Sequence, residues 1–216
     1  MITIHHLLVS QSERVIWLME ELGLPYELKS YPRDPQTRLA HPVFRELHPI
    51  GAAPVIQDGA VTMAESLAIF SYILDLHGEG KLRVAPGAPG YADYVYWFHY
   101  ANAGLMPQMM MQMALQRMAG PAGPASAMMQ ERFERHLKMI EARLAAAPWL
   151  AGETFTAADI LLHFPFGTMR SFAPLDISAY PATRAWLARI SARPAYRKAM
   201  KLAGHTHDPA DPATVL

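Results

Sequence analysis

Two hydrophobic rhythms run along this chain, and the change between them falls near residue 78. From Ile2 to Val9, β-branched and apolar residues surround His5 and His6, which predicts a strand. Ser10-Gln11-Ser12 interrupts it. Val15, Leu18, Met19 and Leu22 then recur every three or four residues and define one apolar helix face from about Glu13 to Leu22. Ser12 is a candidate N-cap, Glu13 suits the first turn, and Gly23 with Pro25 ends the helix. Tyr26 to Tyr31 reads as a second strand, so strand, helix and strand imply a right-handed crossover. Arg33 to Pro49 is polar and irregular, with a short helix expected from Val43 to Leu47.

Residues 50 to 66 organise this first half. Pro54 lacks an N–H, so it belongs at the start of a strand or on an edge. Asp58-Gly59 is a hairpin signal between two short β-favouring runs. Glu65-Ser66 opens an amphipathic helix carrying Leu67, Phe70, Leu74 and His77. The unpaired N–H groups of such a helix start can receive a carboxylate. The first unit is therefore βαβαββα over residues 1–77. The glycine- and proline-rich stretch 78–90 is the linker candidate.

Beyond the linker the strand signals stop. Ala92 to Met118 reads as one long helix kinked at Pro107, Gly120 to Pro124 as a turn, and Ser126 to Ala147 as a second long helix. Thr156 and Asp159 have capping-box spacing, flanked by Phe155 and Ile160 at hydrophobic-staple positions. Ala182 to Ala192 is a further helix, and the polar tail from Gly204 is expected to be loose. Residues 91–216 thus form an all-helical domain.

Composition narrows the chemistry. Lys+Arg and Asp+Glu are equal at 19 each, so no basic excess points to nucleic acid or an anionic membrane. Cysteine is absent, which excludes disulfides, cysteine zinc sites and a protein thiol nucleophile. The residues show neither a bilayer-spanning stretch nor a signal peptide, and the expectation is a cytoplasmic protein without membrane attachment. His5 and His6 are adjacent, so a strand sends them to opposite faces, and no metal site is expected.

The ordered strand, turn, strand and helix of residues 50–66 resemble the thioredoxin-like domain of cytosolic glutathione transferases. The Thr156–Asp159 box, the Trp186–Ile190 segment and Arg193–Tyr196 resemble that family's helical domain. The likeness spans roughly residues 2 to 203. Ser-x-Ser-x-Arg before Val-Ile-Trp-Leu-Met-Glu-Glu-Leu-Gly-Leu-Pro-Tyr-Glu is most similar to a serine-type bacterial and fungal branch. The resemblance implies a cytoplasmic homodimer that joins glutathione, as co-substrate, to small apolar electrophiles in detoxification, with peroxidase activity as a side reaction. No permanently bound cofactor is implied. A non-catalytic binding or structural protein on the same fold is the alternative.

The resemblance also assigns residues. Ala53-Pro54 is the expected cis bond that presents backbone to the cysteinyl part of glutathione, and Glu65 with Ser66 holds the γ-glutamyl carboxylate. Ser10 is the candidate catalytic hydroxyl, and Ser12 its neighbour in the glutathione site and competitor. Ala52 stands where the family often has Lys or Gln, so Arg38 and His41 become the candidates for the glycyl carboxylate. Trp97, Tyr100, Met106, Met110 and Met113 are the candidate electrophile pocket, where thioethers repack around varied shapes. One hydroxyl is energetically sufficient. Lowering a thiol pKa of about 8.5 by about two units takes roughly 2.7 kcal/mol. A hydrogen bond to a charged group contributes about 1.5–3 kcal/mol, and a helix N-terminus about 0.3–1 kcal/mol.

Overall fold

A computed structural model describes residues 1–37, 39–119 and 124–211. The chain divides into two compact units. One contains Met1–Arg83 and Ser191–Pro209; the other contains Val84–Ile190 and the chain from Ala210. The division at Arg83/Val84 lies inside the expected linker, but the segment after Ser191 groups with the first unit rather than with the helical one.

The first unit follows the pattern read from residues 2 to 77. Its elements are β1 (Ile2–Leu7), α1 (Glu13–Leu22), β2 (Tyr26–Tyr31), α2 (Pro42–Arg45), β3 (Val55–Asp58), β4 (Val61–Ala64) and α3 (Ser66–His77). The sheet order is β2-β1-β3-β4, with β1 and β2 parallel and the other pairs antiparallel. Asp58 pairs with Val61, so the hairpin loop is Gly59-Ala60, one residue later than the Asp-Gly signal suggests. Gly59, at φ +57, takes the positive angle that the first loop position demands.

The helical unit begins with α4 (Tyr91–Tyr100) and continues through a π-helical turn, Ala101–Leu105, into α5 (Met106–Ala119). The expected kink is therefore a widened turn just before Pro107. Pro107 has no N–H, and its ring would strike the carbonyl four residues back in a regular helix. The wider turn avoids this, with the Met106 N–H bonded to the Ala101 carbonyl. Gly104 lies under the Tyr100 ring, where a Cβ would come within 2.6 Å of Cδ2. The expected turn at 120–124 falls largely outside the described residues.

The unit continues with α6 (Pro124–Ala146), α7 (Ala157–Phe166) and α8 (Pro181–Ser191). The capping box opens α7: the Thr156 N–H donates to Asp159 Oδ2 at 3.0 Å. Asp159 also accepts from the Leu150 N–H and from Trp186 Nε1, each at 3.0 Å. That carboxylate therefore joins the box to the Trp186–Ile190 segment. Glu141 of α6 receives the first N–H groups of α8, from Ala182 and Thr183, at 2.8 and 2.9 Å.

A ninth helix, α9 (Pro194–Leu202), follows Arg193 and packs on α1 within the first unit. Tyr196 meets the buried Trp17 ring edge-on at 4.9 Å, and Arg193 forks onto Glu21 at 2.6 and 2.7 Å. The segment beyond is not loose as far as Asp211. Tyr196 donates to Asp208 at 2.9 Å, and His205 pairs with the fully buried Glu13 at 2.8 Å.

Candidate functional site

The loop between β1 and α1 places the two serines. Ser10 Oγ lies 2.7 Å from the Leu7 carbonyl oxygen and 2.7 Å from Ser12 Oγ, and it accepts the Ser12 N–H at 3.3 Å. Ser12 stands at the N-cap position of α1, but its side chain does not cap the helix. It turns inward, accepting the Leu7 N–H at 3.2 Å and meeting His6 Nδ1 at 2.8 Å. Both serines are buried, Ser12 completely, while Ser10 keeps 7% of its surface exposed, so Ser10 is the nearer of the two to solvent.

The preceding backbone is held under strain. Val9 has φ 53°, a left-handed conformation that is costly for a β-branched residue. Arg33 donates to the Leu8 carbonyl at 2.9 Å and to the Val9 carbonyl at 2.8 Å, which ties down the two peptide groups that flank the Val9 Cα. Neither the strain nor the clamp could be read from residue order, because Arg33 is more than twenty positions away.

At the other edge of β3 the Ala53–Pro54 peptide is cis. Pro54 is buried, and Ala53 packs against the cluster of Leu7, Phe44, Val55 and Ala64. Ser66 begins α3, with exposed Glu65 before it at φ 72°. Ser66 Oγ is buried and accepts from Arg14 Nη2 at 2.8 Å. Arg14 is fully buried in α1 and also bonds the Gln11 side chain. Burial lowers its pKa to about 9, opposed by the charges of Glu13 and Glu65, so it remains a cation at neutral pH. The Ser-x-Ser-x-Arg spacing thus has a tertiary meaning: the arginine links the α1 loop to the start of α3. His41 is exposed and caps α2, its Nδ1 accepting the Val43 N–H at 3.4 Å. Arg38 lies outside the described residues.

The five candidate pocket residues are spread over the helical unit. Trp97 and Tyr100 are buried on α4, with ring centroids 5.2 Å apart, and Tyr100 bonds His136. Met106 is buried, Met110 is exposed, and Met113 is half-buried. Met113 borders a cavity of about 320 Å³ with Met109, Phe133, Leu137, Leu175 and Tyr180. Tyr100 borders a different groove, with Arg132, Arg135 and Met139. The other three residues border neither of these.

A thioredoxin-like unit carrying a serine at the first helix, a cis-proline strand and a Glu-Ser helix start, followed by a helical unit, defines a class of glutathione-dependent proteins. Residues 4–81 match the family model described as "Glutathione S-transferase, N-terminal domain", and residues 106–194 match "Glutathione S-transferase, C-terminal domain". Glutathione S-transferase 3 of Schizosaccharomyces pombe is 32% identical over 211 residues, covering 91% of this chain and 86% of that one. Glutathione S-transferase 3 of Zea mays is 31% identical, with 86% of each chain covered. The crystal structure of a glutathione S-transferase from Actinobacillus pleuropneumoniae superimposes with a TM-score of 0.86 at 32% identity, covering 94% of this chain and 93% of the other. The chain belongs to the glutathione S-transferase family. Its activity class is accordingly that of a transferase.

Proposed function

We propose that this protein binds glutathione beside the β1–α1 loop and holds its sulfur as a thiolate through Ser10, for attack on small apolar electrophiles. The observation that carries the reading is the placement of Ser10: two residues ahead of the α1 N-cap, with 7% of its surface exposed and the fully buried Ser12 hydrogen-bonded behind it. It supports reading the protein as a member of a serine-type branch. Glu65, Ser66 and the start of α3 receive the γ-glutamyl carboxylate, and Ala53 with Pro54 presents backbone to the cysteinyl part. His41 and Arg38 are the partners proposed for the glycyl carboxylate. Ser12 contributes from behind rather than by contact.

Of the five candidate pocket residues, Trp97, Tyr100, Met106, Met110 and Met113, we keep Met113 for the electrophile, since it borders the cavity with Met109, Phe133 and Leu137, where thioethers adapt to several shapes. The protein works as a cytoplasmic homodimer, with peroxide reduction as a side activity. Substituting Ser10→Ala tests the central assignment. Conjugation of a generic aryl halide should fall about ten- to hundredfold, the loss of one hydrogen bond to an anion, while glutathione still binds. Unchanged turnover would remove Ser10 from the mechanism.

A further inference from the structure

Behind Ser10 a hydrogen-bonded row ends on a buried imidazole. His6 Nε2 faces the Ala203 carbonyl oxygen at 3.1 Å, and a carbonyl only accepts, so Nε2 carries a proton. In the neutral ring Nδ1 is then an acceptor. Ser12 Oγ, 2.8 Å away, gives its single proton to that nitrogen rather than to the Leu7 carbonyl oxygen, which lies farther off at 3.4 Å. The Ser12 oxygen in turn accepts from the Leu7 N–H and faces Ser10 Oγ at 2.7 Å. With His6 neutral, the Ser10 proton therefore points inward, to Ser12 or to the Leu7 carbonyl. In that state Ser10 is arranged to accept a hydrogen bond from a thiol.

A thiolate needs the opposite polarity. If Ser10 simply swung its proton outward, two serine oxygens would remain 2.7 Å apart with no proton between them. The conflict disappears when every hydroxyl in the row turns around and a proton sits on Nδ1. We propose that His6 takes up the thiol proton of glutathione through Ser10 and Ser12, so that the sulfur becomes an anion in the site without releasing a proton to solvent. This rests on the reading of Ser10 as the group facing sulfur.

The transfer balances. The thiol proton passes to Ser10 Oγ, the Ser10 proton to Ser12 Oγ, and the Ser12 proton to His6 Nδ1. The S–H electron pair stays on sulfur, and a neutral thiol and imidazole become a thiolate and an imidazolium. Charged and titratable groups face His6 from three elements. Glu13 of α1 favours the cation, while His205 after α9 and Arg33 after β2 oppose it. Burial pushes His6 below its ordinary pKa, which leaves Nδ1 bare until substrate arrives. The sulfur anion and the Glu13 carboxylate then supply the negative charge that the imidazolium needs.

The experiment compares protons released with thiolate formed when glutathione is added to the full-length protein. Thiolate is read from its ultraviolet absorbance and proton release from a weakly buffered indicator, at about two pH units below the free thiol pKa. S-methylglutathione, which has no thiol proton, sets the background. The wild type should form thiolate with far less than one proton released for each. Ser12→Ala and His6→Asn should each restore release to one, and raise the thiol midpoint by about one pH unit. Thiolate formation with full proton release in the wild type overturns the relay and leaves the Ser10 reading intact. Absence of thiolate in the wild type overturns both. Should His6→Asn fail to fold, the wild type and Ser12→Ala decide the matter.

Discussion

Asp159 offers the sharpest test of how the helical unit is held together. Replacing it with Ala removes the acceptor for three buried N–H donors: Leu150, Thr156 and Trp186 Nε1, each at 3.0 Å. A buried donor left unsatisfied costs about 1–3 kcal/mol, so the gross loss is about 3–9 kcal/mol. Ionising the carboxylate in this setting has a cost of its own. Burial raises its pKa from 3.8 to about 6, despite the hydrogen bonds that lower it. That difference amounts to roughly 3 kcal/mol against the folded state at neutral pH, which the alanine variant escapes. The net destabilisation at pH 7 is therefore up to about 6 kcal/mol.

The sign of the pH dependence is the discriminating feature. Between the unfolded and folded pKa values the folded state binds more protons, so the Asp159 contribution is fully present below the unfolded value and is lost as pH rises through about 6. The stability gap between wild type and Asp159→Ala should accordingly widen by about 1 kcal/mol when pH falls from about 7 to about 5. Urea unfolding of both proteins at several pH values measures it. A gap that stays constant, or narrows with acid, would refute the argument that burial dominates this carboxyl group.

Other substitutions probe the site and its supports. Gly104→Ala should cost about 1–3 kcal/mol, because its Cβ would strike a Tyr100 ring already bonded to His136; thermal unfolding reads the loss. Val9→Gly should stabilise the protein slightly, or at worst leave it unchanged. Relief of about 1–3 kcal/mol of left-handed strain exceeds the roughly 0.5–1 kcal/mol entropic cost of glycine, and chemical denaturation shows the balance. Arg33→Met removes both donors from the Leu8 and Val9 carbonyls and frees the Ser10 loop. The expected result is a drop in kcat of about tenfold or more, since roughly 1.4 kcal/mol of positioning is enough, with a smaller change in KM; an unaltered kcat would show that the loop holds its shape unaided.

Periodicity and punctuation determined most of this molecule. Period-two and period-3.6 patterns, ended by Gly23, Pro25, Pro54 and Gly59, were enough for the strands and for α1 and α3 of residues 2 to 77, while the short α2 sits at Pro42–Arg45 rather than Val43 to Leu47; the Thr156–Asp159 spacing marked the start of α7. Such signals are local, because they arise from backbone angles and from which face of one element is apolar. The sequence also marked Ser10, Arg14, Glu65 and Ser66 by type and order. Only the tertiary structure decided what those residues touch. Ser12 looked like a cap by position, yet the buried His6 imidazole offers its hydroxyl a better partner than the helix N–H groups do. The segment after Ser191 looked like the end of the helical domain, yet Trp17 and Glu21 hold α9 against α1. The five candidate pocket residues share two neighbouring helices, but side-chain direction sends them to different surroundings. Pairings between residues far apart in the chain depend on how buried donors, acceptors and rings are shared out in three dimensions, and no local pattern encodes that competition.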